Sequence, residues 1–212
     1  MDFDQLAHQL RNPVMAIRTL ASLVKKRLAA DDPNRALLDA IVAECRRLDS
    51  LLDDPLSVLT IEPVPLAPLL QEIARTTQPI AQERQIAFEV HGQIEATVLA
   101  SPSALREVLM NLLDNAFKYT PTGGTVTIRV RPEAERWTIE VADTGEGIAP
   151  GEVEHIFEPY YRGTRTGVLN GQGLGLAVAR DLVSRMNGAI NVYPAAGRGS
   201  YFRVTLPAAE ES

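Results

Sequence analysis

Cysteine is nearly absent from this 212-residue chain, where Cys45 stands alone. A single thiol forms no internal disulfide and no thiolate metal cluster, so a reducing, cytoplasmic compartment is expected. No stretch approaches the ~20 consecutive apolar residues of a membrane span, and no membrane contact is expected. The opening Met1-Asp2-Phe3-Asp4 lacks the basic n-region of a secretory signal. A basic excess is missing too. Twenty-one Lys and Arg against 27 Asp and Glu give a net charge of −6, which argues against a nucleic-acid partner. Fourteen Gly and fourteen Pro are near average usage, which excludes collagen-like or low-complexity chains. What remains is 45% apolar and 23% charged, enough to bury a core in one large domain or two small ones.

The apolar residues follow two different periods. Leu6, Leu10, Pro13, Ile17, Leu20, Val24 and Leu28 recur every three or four residues and fall within about 40° of Leu6 on a helix. Asp31-Asp32-Pro33 interrupts this pattern. Asp32 is placed to cap a second helix, and Pro33 suits its first turn. Leu38, Ile41, Cys45, Leu48 and Leu52 then repeat three-four-three-four, with Leu37, Val42 and Leu51 widening the stripe. The run Lys25-Lys26-Arg27 reads as a solvated face. Two helices of ~35–40 Å in an antiparallel hairpin bury only one side of themselves, so a homodimeric four-helix bundle is expected.

From Ile61-Glu62-Pro63-Val64-Pro65 the pattern changes, and this proline-bearing stretch reads as a boundary between domains at 1–60 and 61–212. Beyond it, Leu66 to Gln82 and Ser101 to Tyr119 read as helices, the latter with Ser101-Pro102 as cap and first turn. Gly173 to Met186 reads as a third, stopped by Asn187-Gly188. Ile86–Val90, Thr125–Arg131, Trp137–Val141 and Tyr201–Leu206 read as strands. Val126/Ile128/Val130 and Trp137/Ile139/Val141 alternate with polar residues, as a sheet with one wet face requires. The fold class is α+β and multidomain, a helical hairpin followed by a two-layer α/β sandwich.

Several residues can carry chemistry. His8 lies about 200° round the helix from Leu6, with Asn12 one turn on, on the face away from the stripe. It is either a surface histidine or a nucleophile, since neutral imidazole needs little activation. In the helix 101–119, Leu105, Leu109, Leu112, Leu113 and Ala116 form the buried face. Glu107, Asn111, Asn115 and Lys118 line the opposite one. Asparagine is a poor helix former, so this row is either a solvated face or amide oxygens for a hard cation such as Mg²⁺, with Lys118 beside phosphates. Asp143-Thr144-Gly145-Glu146-Gly147 follows a strand. It is either a turn or a carboxylate placed for the amino group of a base, with glycines that let a ring approach. Gly171-Gln172-Gly173-Leu174-Gly175-Leu176 opens a helix, whose free N–H groups suit phosphates. The loop from Pro159 to Asn170, with Arg162, Gly163, Arg165 and Gly167, suits a mobile lid.

Together these pieces resemble the transmitter region of a sensor histidine kinase. His8 to Pro13 resembles the phosphoacceptor box and Asn111 to Thr120 the N box. Asp143 to Gly147 resembles the first glycine box, Ile156 to Pro159 the F box, and Gly171 to Leu176 the second glycine box. With Asp31 to Arg35, the phosphoacceptor box is similar to the cyanobacterial and chloroplast branch. The resemblance implies a dimerisation and histidine-phosphotransfer hairpin followed by a Bergerat-type (GHKL) ATP-binding domain. It further implies that Asp143 binds the adenine amino group, that Asn115 ligates Mg²⁺, and that Asn111 and Lys118 support the phosphates of ATP. Tyr119 contacts adenine or ribose, Gly145 and Gly147 admit the ring, and Phe157 anchors the lid. Arg162 lies in that lid, and Gly171, Gly173, Leu174 and Gly175 let it close. His8 then attacks the γ-phosphate, and the phosphoryl group passes to an aspartate of a response-regulator receiver domain.

The family usually has Glu or Asp immediately after the histidine, whereas this chain has Gln9, which cannot take a proton. Slow autophosphorylation is expected. Asn12, four after the histidine, matches the position that serves phosphatase activity in related kinases. Two alternatives stay open: a GHKL-type ATPase, although Asn111 stands where those enzymes carry a glutamate, and a nucleotide-binding dimerisation module without kinase activity. His91 and His155 read as ordinary surface residues and Cys45 as core packing. With His8 so near the start, the chain is expected to be a piece of a longer protein.

Overall fold

The computed structural model describes residues 3–29, 32, 34–35, 37–38, 41–42, 44–45, 59–149, 151–159, 161, 173–195 and 198–209, and only the backbone of residues 3–12 and 26. The chain divides into two compact units, Met1–Val58 and Leu59–Ser212.

The first unit opens with α1 (Phe3–Arg27), a 25-residue helix that carries Pro13 internally. The chain turns sharply after it. Asp32 Oδ1 accepts the Asn34 N–H at 2.8 Å, the cap expected of Asp32. Arg35 Nη1 donates to the carbonyls of Lys25 and Leu28, both at 2.9 Å. Lys25 lies in the last turn of α1 and Leu28 directly follows it, where helical partners run out. The described residues from Asn34 to Cys45 are helical, and Cys45 is buried as expected. Leu48, Leu51 and Leu52 lie outside the described residues.

The expected stripe on α1 is not the buried one. Val14 and Ala21, about 80° and 60° round from Leu6, are the buried apolar residues, whereas Ile17, Leu20 and Val24 are 50%, 62% and 47% exposed. The chain thus packs one flank of the helix and leaves Ile17, Leu20 and Val24 of the predicted stripe bare. Lys25 is also half-buried rather than fully solvated.

The second unit contains β1 (Glu62–Pro65), α2 (Leu66–Glu83), β2 (Ala87–Gly92), β3 (Thr97–Ala100), α3 (Pro102–Tyr119), β4 (Thr125–Glu133), β5 (Arg136–Asp143), α4 (Gly175–Arg185), β6 (Ala189–Pro194) and β7 (Ser200–Pro207). Five strands form one mixed sheet in the order β2-β4-β5-β7-β6, with only β2 and β4 parallel. The inward residues of the sheet, among them Val126, Ile128, Val130, Ile139, Val141, Val204 and Leu206, join Leu70, Ile73, Leu105, Leu109, Leu112 and Val183 from the helices in one core. This is the expected two-layer sandwich.

Four expectations need correction. The proline-bearing stretch at 61–65 contains a strand, β1, antiparallel to β3. Pro63 and Pro65 are tolerated because β1 is an edge strand of a two-stranded sheet, and Val64 alone turns inward. The last helix starts at Gly175, not Gly173, although Asn187 stops it as expected with a left-handed φ of 54°. Ser101 occupies the cap position of α3 but makes no side-chain cap, its hydroxyl lying 3.3 Å from that of Ser103. Finally, the outer face of β5 is not wet. Thr138 and Glu140 are buried there, Glu140 by an ion pair with Arg203 at 3.0 Å and Thr138 by a hydrogen bond to Glu133. Stacked Tyr193 and Tyr201 lie beside the Arg203 guanidinium.

Candidate functional site

The site is built around α3. Its apolar positions Leu105, Leu109, Leu112, Leu113 and Ala116 are all buried, so the remaining face is turned outward. Asn111, Asn115, Lys118 and Tyr119 are half-buried on that side, and Glu107 is exposed one turn before Asn111. The Lys118 ammonium lies 4.9 Å from the Tyr119 ring centroid. Neither Asn111 nor Asn115 hydrogen-bonds another described residue through its side chain. Two amides thus stand unpartnered on a helix, where intrinsic propensity disfavours them. Glu107 likewise has no hydrogen bond or ion pair to a described residue, and burial pushes its carboxyl above the ordinary glutamate value.

At the C-terminal end of α3, the loop after β5 packs against the helix. A Cβ on Gly145 would sit 2.3 Å from the Tyr119 carbonyl oxygen, so only glycine permits this approach. Asp143 is 6% exposed and held through both oxygens. The Gly145 N–H donates to Oδ1 at 2.8 Å, and the Ser200 hydroxyl donates to Oδ2 at 2.7 Å. Ser200 comes from the start of β7, 57 residues away. Gly199 makes this possible, since with φ +96 any Cβ there would strike the Asp143 carbonyl at 1.9 Å. Gly147 packs beside Gly199. Sequence reasoning missed Ser200. Its signal was a glycine directly before a strand, Gly199-Ser200-Tyr201, but nothing local tied it to Asp143.

At the other end of the row, Gly175 starts α4 beside Asn111, whose Oδ1 lies 3.4 Å from where a Cβ on Gly175 would stand. The first residue of α4, where a helix has free N–H groups, therefore lies beside the amide of α3. Gly173, half-buried with φ +66, and Leu174 lead into it. Phe157 is buried and meets Phe202 edge-on at 6.3 Å, with the Arg180 guanidinium 5.5 Å from its ring. Next to it, His155 Nδ1 lies 2.8 Å from Glu158 Oε1, a hydrogen bond that raises the imidazole pKa. His155 and His91 are both exposed, as expected.

The structure thus brings Asp143, Gly145, Gly147 and Tyr119 together at the C-terminal end of α3, with Gly175, preceded by Gly173 and Leu174, beside Asn111 in the middle of that helix. Asn115 and Lys118 lie on the same face. Arg162 and Gly171 fall outside the described residues. So do the side chains of His8, Gln9 and Asn12, which occupy the first half of α1. Among the described residues, no group of three or more His, Cys, Asp and Glu could hold a metal ion. One amide oxygen, as Asn115 offers, suits Mg²⁺, which keeps several waters and is bound together with substrate phosphates. No described helix is long and apolar enough to cross a membrane.

Comparison with known proteins bears on both units. Residues 100–210 match the family model described as histidine kinase-, DNA gyrase B- and HSP90-like ATPase. Residues 3–63 match the His Kinase A (phospho-acceptor) domain. The chain is 40% identical over 223 residues to the sensor histidine kinase Hik2 of Thermosynechococcus vestitus, covering 97% of this chain and 58% of that protein. It is 34% identical over 216 residues to the adaptive-response sensory kinase SasA of Synechococcus sp. JA-3-3Ab, covering 95% and 57%. Among solved structures, the mycobacterial sensor histidine kinase MprB superposes with a TM-score of 0.63 at 31% identity, over 71% of this chain and all of that one. Full-length ShkA in complex with AMPPNP superposes with a TM-score of 0.67 at 30% identity, over 99% of this chain and 46% of that one. The chain spans little more than half the length of the curated relatives it matches. On these matches it belongs to the histidine kinase-, DNA gyrase B- and HSP90-like ATPase family, as the transmitter region of a sensor histidine kinase.

Proposed function

We propose that this chain is an ATP-dependent autokinase that phosphorylates His8 and passes the phosphoryl group to an aspartate of a response-regulator receiver domain. The single observation that carries this reading is the outward face of α3. It ends at a buried, doubly held carboxylate and meets a helix N-terminus at Asn111.

Asp143 accepts a hydrogen bond from the exocyclic amino group of adenine. It is pre-oriented for this by Gly145 and Ser200, so no carboxylate freedom is lost on binding. Gly145 lets the loop that carries Asp143 close against the end of α3. Tyr119 lies against adenine or ribose. Lys118 and Asn111 stand over the phosphates, and Gly173, Leu174 and Gly175 present backbone N–H groups to them. Gly171 and Arg162 extend the same lid, with buried Phe157 as its anchor. Asn115 would hold Mg²⁺, which neutralises phosphate charge when bound. A ring nitrogen of His8 attacks the γ-phosphorus in line. The nitrogen–phosphorus bond forms, the bond to the bridging oxygen breaks, and ADP leaves with the electron pair.

Gln9 hydrogen-bonds but takes no proton, so turnover is slow, and a Gln9→Glu variant is expected to label faster. Asn12 serves a phosphatase activity toward the receiver. The bare stripe of Ile17, Leu20 and Val24 supports a homodimer through the first unit, because apolar side chains left half-exposed are stabilised by burial. ATP as the phosphoryl donor places the reaction in the cytoplasm.

Incubation with γ-labelled ATP and Mg²⁺ tests the reading. Acid-labile, base-stable label that vanishes in His8→Gln is the expected result. Free phosphate alone would mark a GHKL-type ATPase, and binding without turnover a nucleotide-binding dimerisation module.

A further inference from the structure

One guanidinium of the second unit has no charged partner. Arg180 sits in the middle of α4, exposed, and makes no hydrogen bond or ion pair with a described residue. Its helical neighbours three and four residues away are Leu176, Ala177, Val183 and Ser184, so no carboxylate stands at pairing distance along the helix. The acid beside it, Asp181, pairs with Arg185 at 3.9 Å instead. Arg180 is nonetheless placed. Its guanidinium carbon lies over the Phe157 ring, 5.5 Å from the centroid, where the ring quadrupole attracts a cation.

Phe157 makes two ring contacts, and each leads to a different part of the nucleotide face. One is with Phe202 of β7, edge-on at 6.3 Å, two residues after the Ser200 that holds Asp143. The other is with Arg180 of α4, five residues after the Gly175 that lies beside Asn111. Leu174 occupies the cap position of α4 and no side chain caps the helix, so nothing of its own ties down the first turn. That turn is placed by packing instead. Ala179 and Val183 enter the core, and Arg180 lies on the buried Phe157.

We propose that Arg180 is a positioning residue for the nucleotide's phosphates: by lying over Phe157 it holds the start of α4 at Asn111. The inference rests on the nucleotide site proposed above and adds a residue that touches no substrate itself. It also separates the two parts of that site. Asp143 is held by Gly145 and Ser200, neither of which belongs to α4, so recognition of the base does not depend on Arg180. Binding of the phosphates does.

The test measures by calorimetry how the whole chain binds a non-hydrolysable ATP analogue with Mg²⁺ and, separately, adenosine. Arg180→Gln is expected to weaken the ATP analogue about two- to fivefold, the factor an exposed cation–ring contact is worth, and to leave adenosine unchanged. Arg180→Lys keeps a cation over the ring and is expected to recover most of the loss. Phe157→Leu removes the ring but keeps its apolar bulk, and adding Arg180→Gln to it is expected to cost nothing further. Unchanged binding of the analogue by Arg180→Gln, an equal loss for adenosine, no recovery with lysine, or full additivity with Phe157→Leu overturns the role of Arg180 and leaves the nucleotide site standing. Failure of the wild-type chain to bind the analogue overturns both.

Discussion

Leu112 and Leu20 are the same residue on helices of similar amphipathic pattern, yet one is fully buried and the other 62% exposed. The difference separates the two units. In Leu59–Ser212 every apolar residue of the α3 stripe finds a partner within the chain, because a five-stranded sheet is wide enough to cover three helices. In Met1–Val58 the flank of Val14 and Ala21 is covered, while Ile17, Leu20, Val24, Leu37 and Ile41 stay between 42% and 64% exposed. The proposed nucleotide site sits on the self-sufficient unit. His8, the proposed phosphoacceptor, sits on the unit whose apolar surface is left unfinished, where pairing with another copy would complete it.

The comparison can be broken most forcefully in the core. Leu112→Ala is expected to destabilise the second unit by about 2–5 kcal/mol, since nothing can collapse into the space between helix and sheet. Chemical denaturation followed by tryptophan fluorescence of Trp137, which packs against that core, measures it. Next comes Asp143→Asn, which should weaken ATP binding about 10- to 100-fold by removing a charge-assisted hydrogen bond. Calorimetry reads this, with the oligomeric state unchanged. Leu20→Ala is expected to cost the dimer about 1.5–3 kcal/mol per buried side chain. Sedimentation should show this while ATP affinity stays the same, and a fall in ATP affinity would contradict the division of labour.

Two smaller effects sharpen the contrast. The raised pKa of Glu107 means that its charged form opposes folding. Stability linked to this group is fully present below the ordinary glutamate value and lost as pH rises through the elevated one. Glu107→Gln should therefore melt slightly higher than wild type at neutral pH and identically in acid. Smallest of all, Arg106→Ala breaks an exposed ion pair with Glu72 and should change stability by less than about 1 kcal/mol.

The sequence was most informative where one element alone determines the outcome. The buried face of α3 follows from its 3.6-residue period, and Val126, Ile128 and Val130 alternate inward as written. Asp143 stood out because a carboxylate and two glycines directly after a strand are locally conspicuous. Less was legible where partners are distant. β1 was hidden by its prolines, and β3 is only four residues long. β6 follows directly on a helix stop, and its Ile190 and Val192 gain meaning only when paired with Val204 and Phe202. The same applies to Ser200, whose hydroxyl is given its role by Asp143 across the sheet. On α1, periodicity found an apolar stripe, from which pairing with another copy was expected, but not the flank of Val14 and Ala21 that the chain itself buries.

A structure of the chain soaked with a non-hydrolysable ATP analogue tests the central claim most directly. The account predicts the adenine amino group within hydrogen-bond distance of Asp143, and the terminal phosphate between Asn111 and the start of α4, on the side toward Glu107. A purine remote from Asp143, or a nucleotide running the other way along α3, would contradict it.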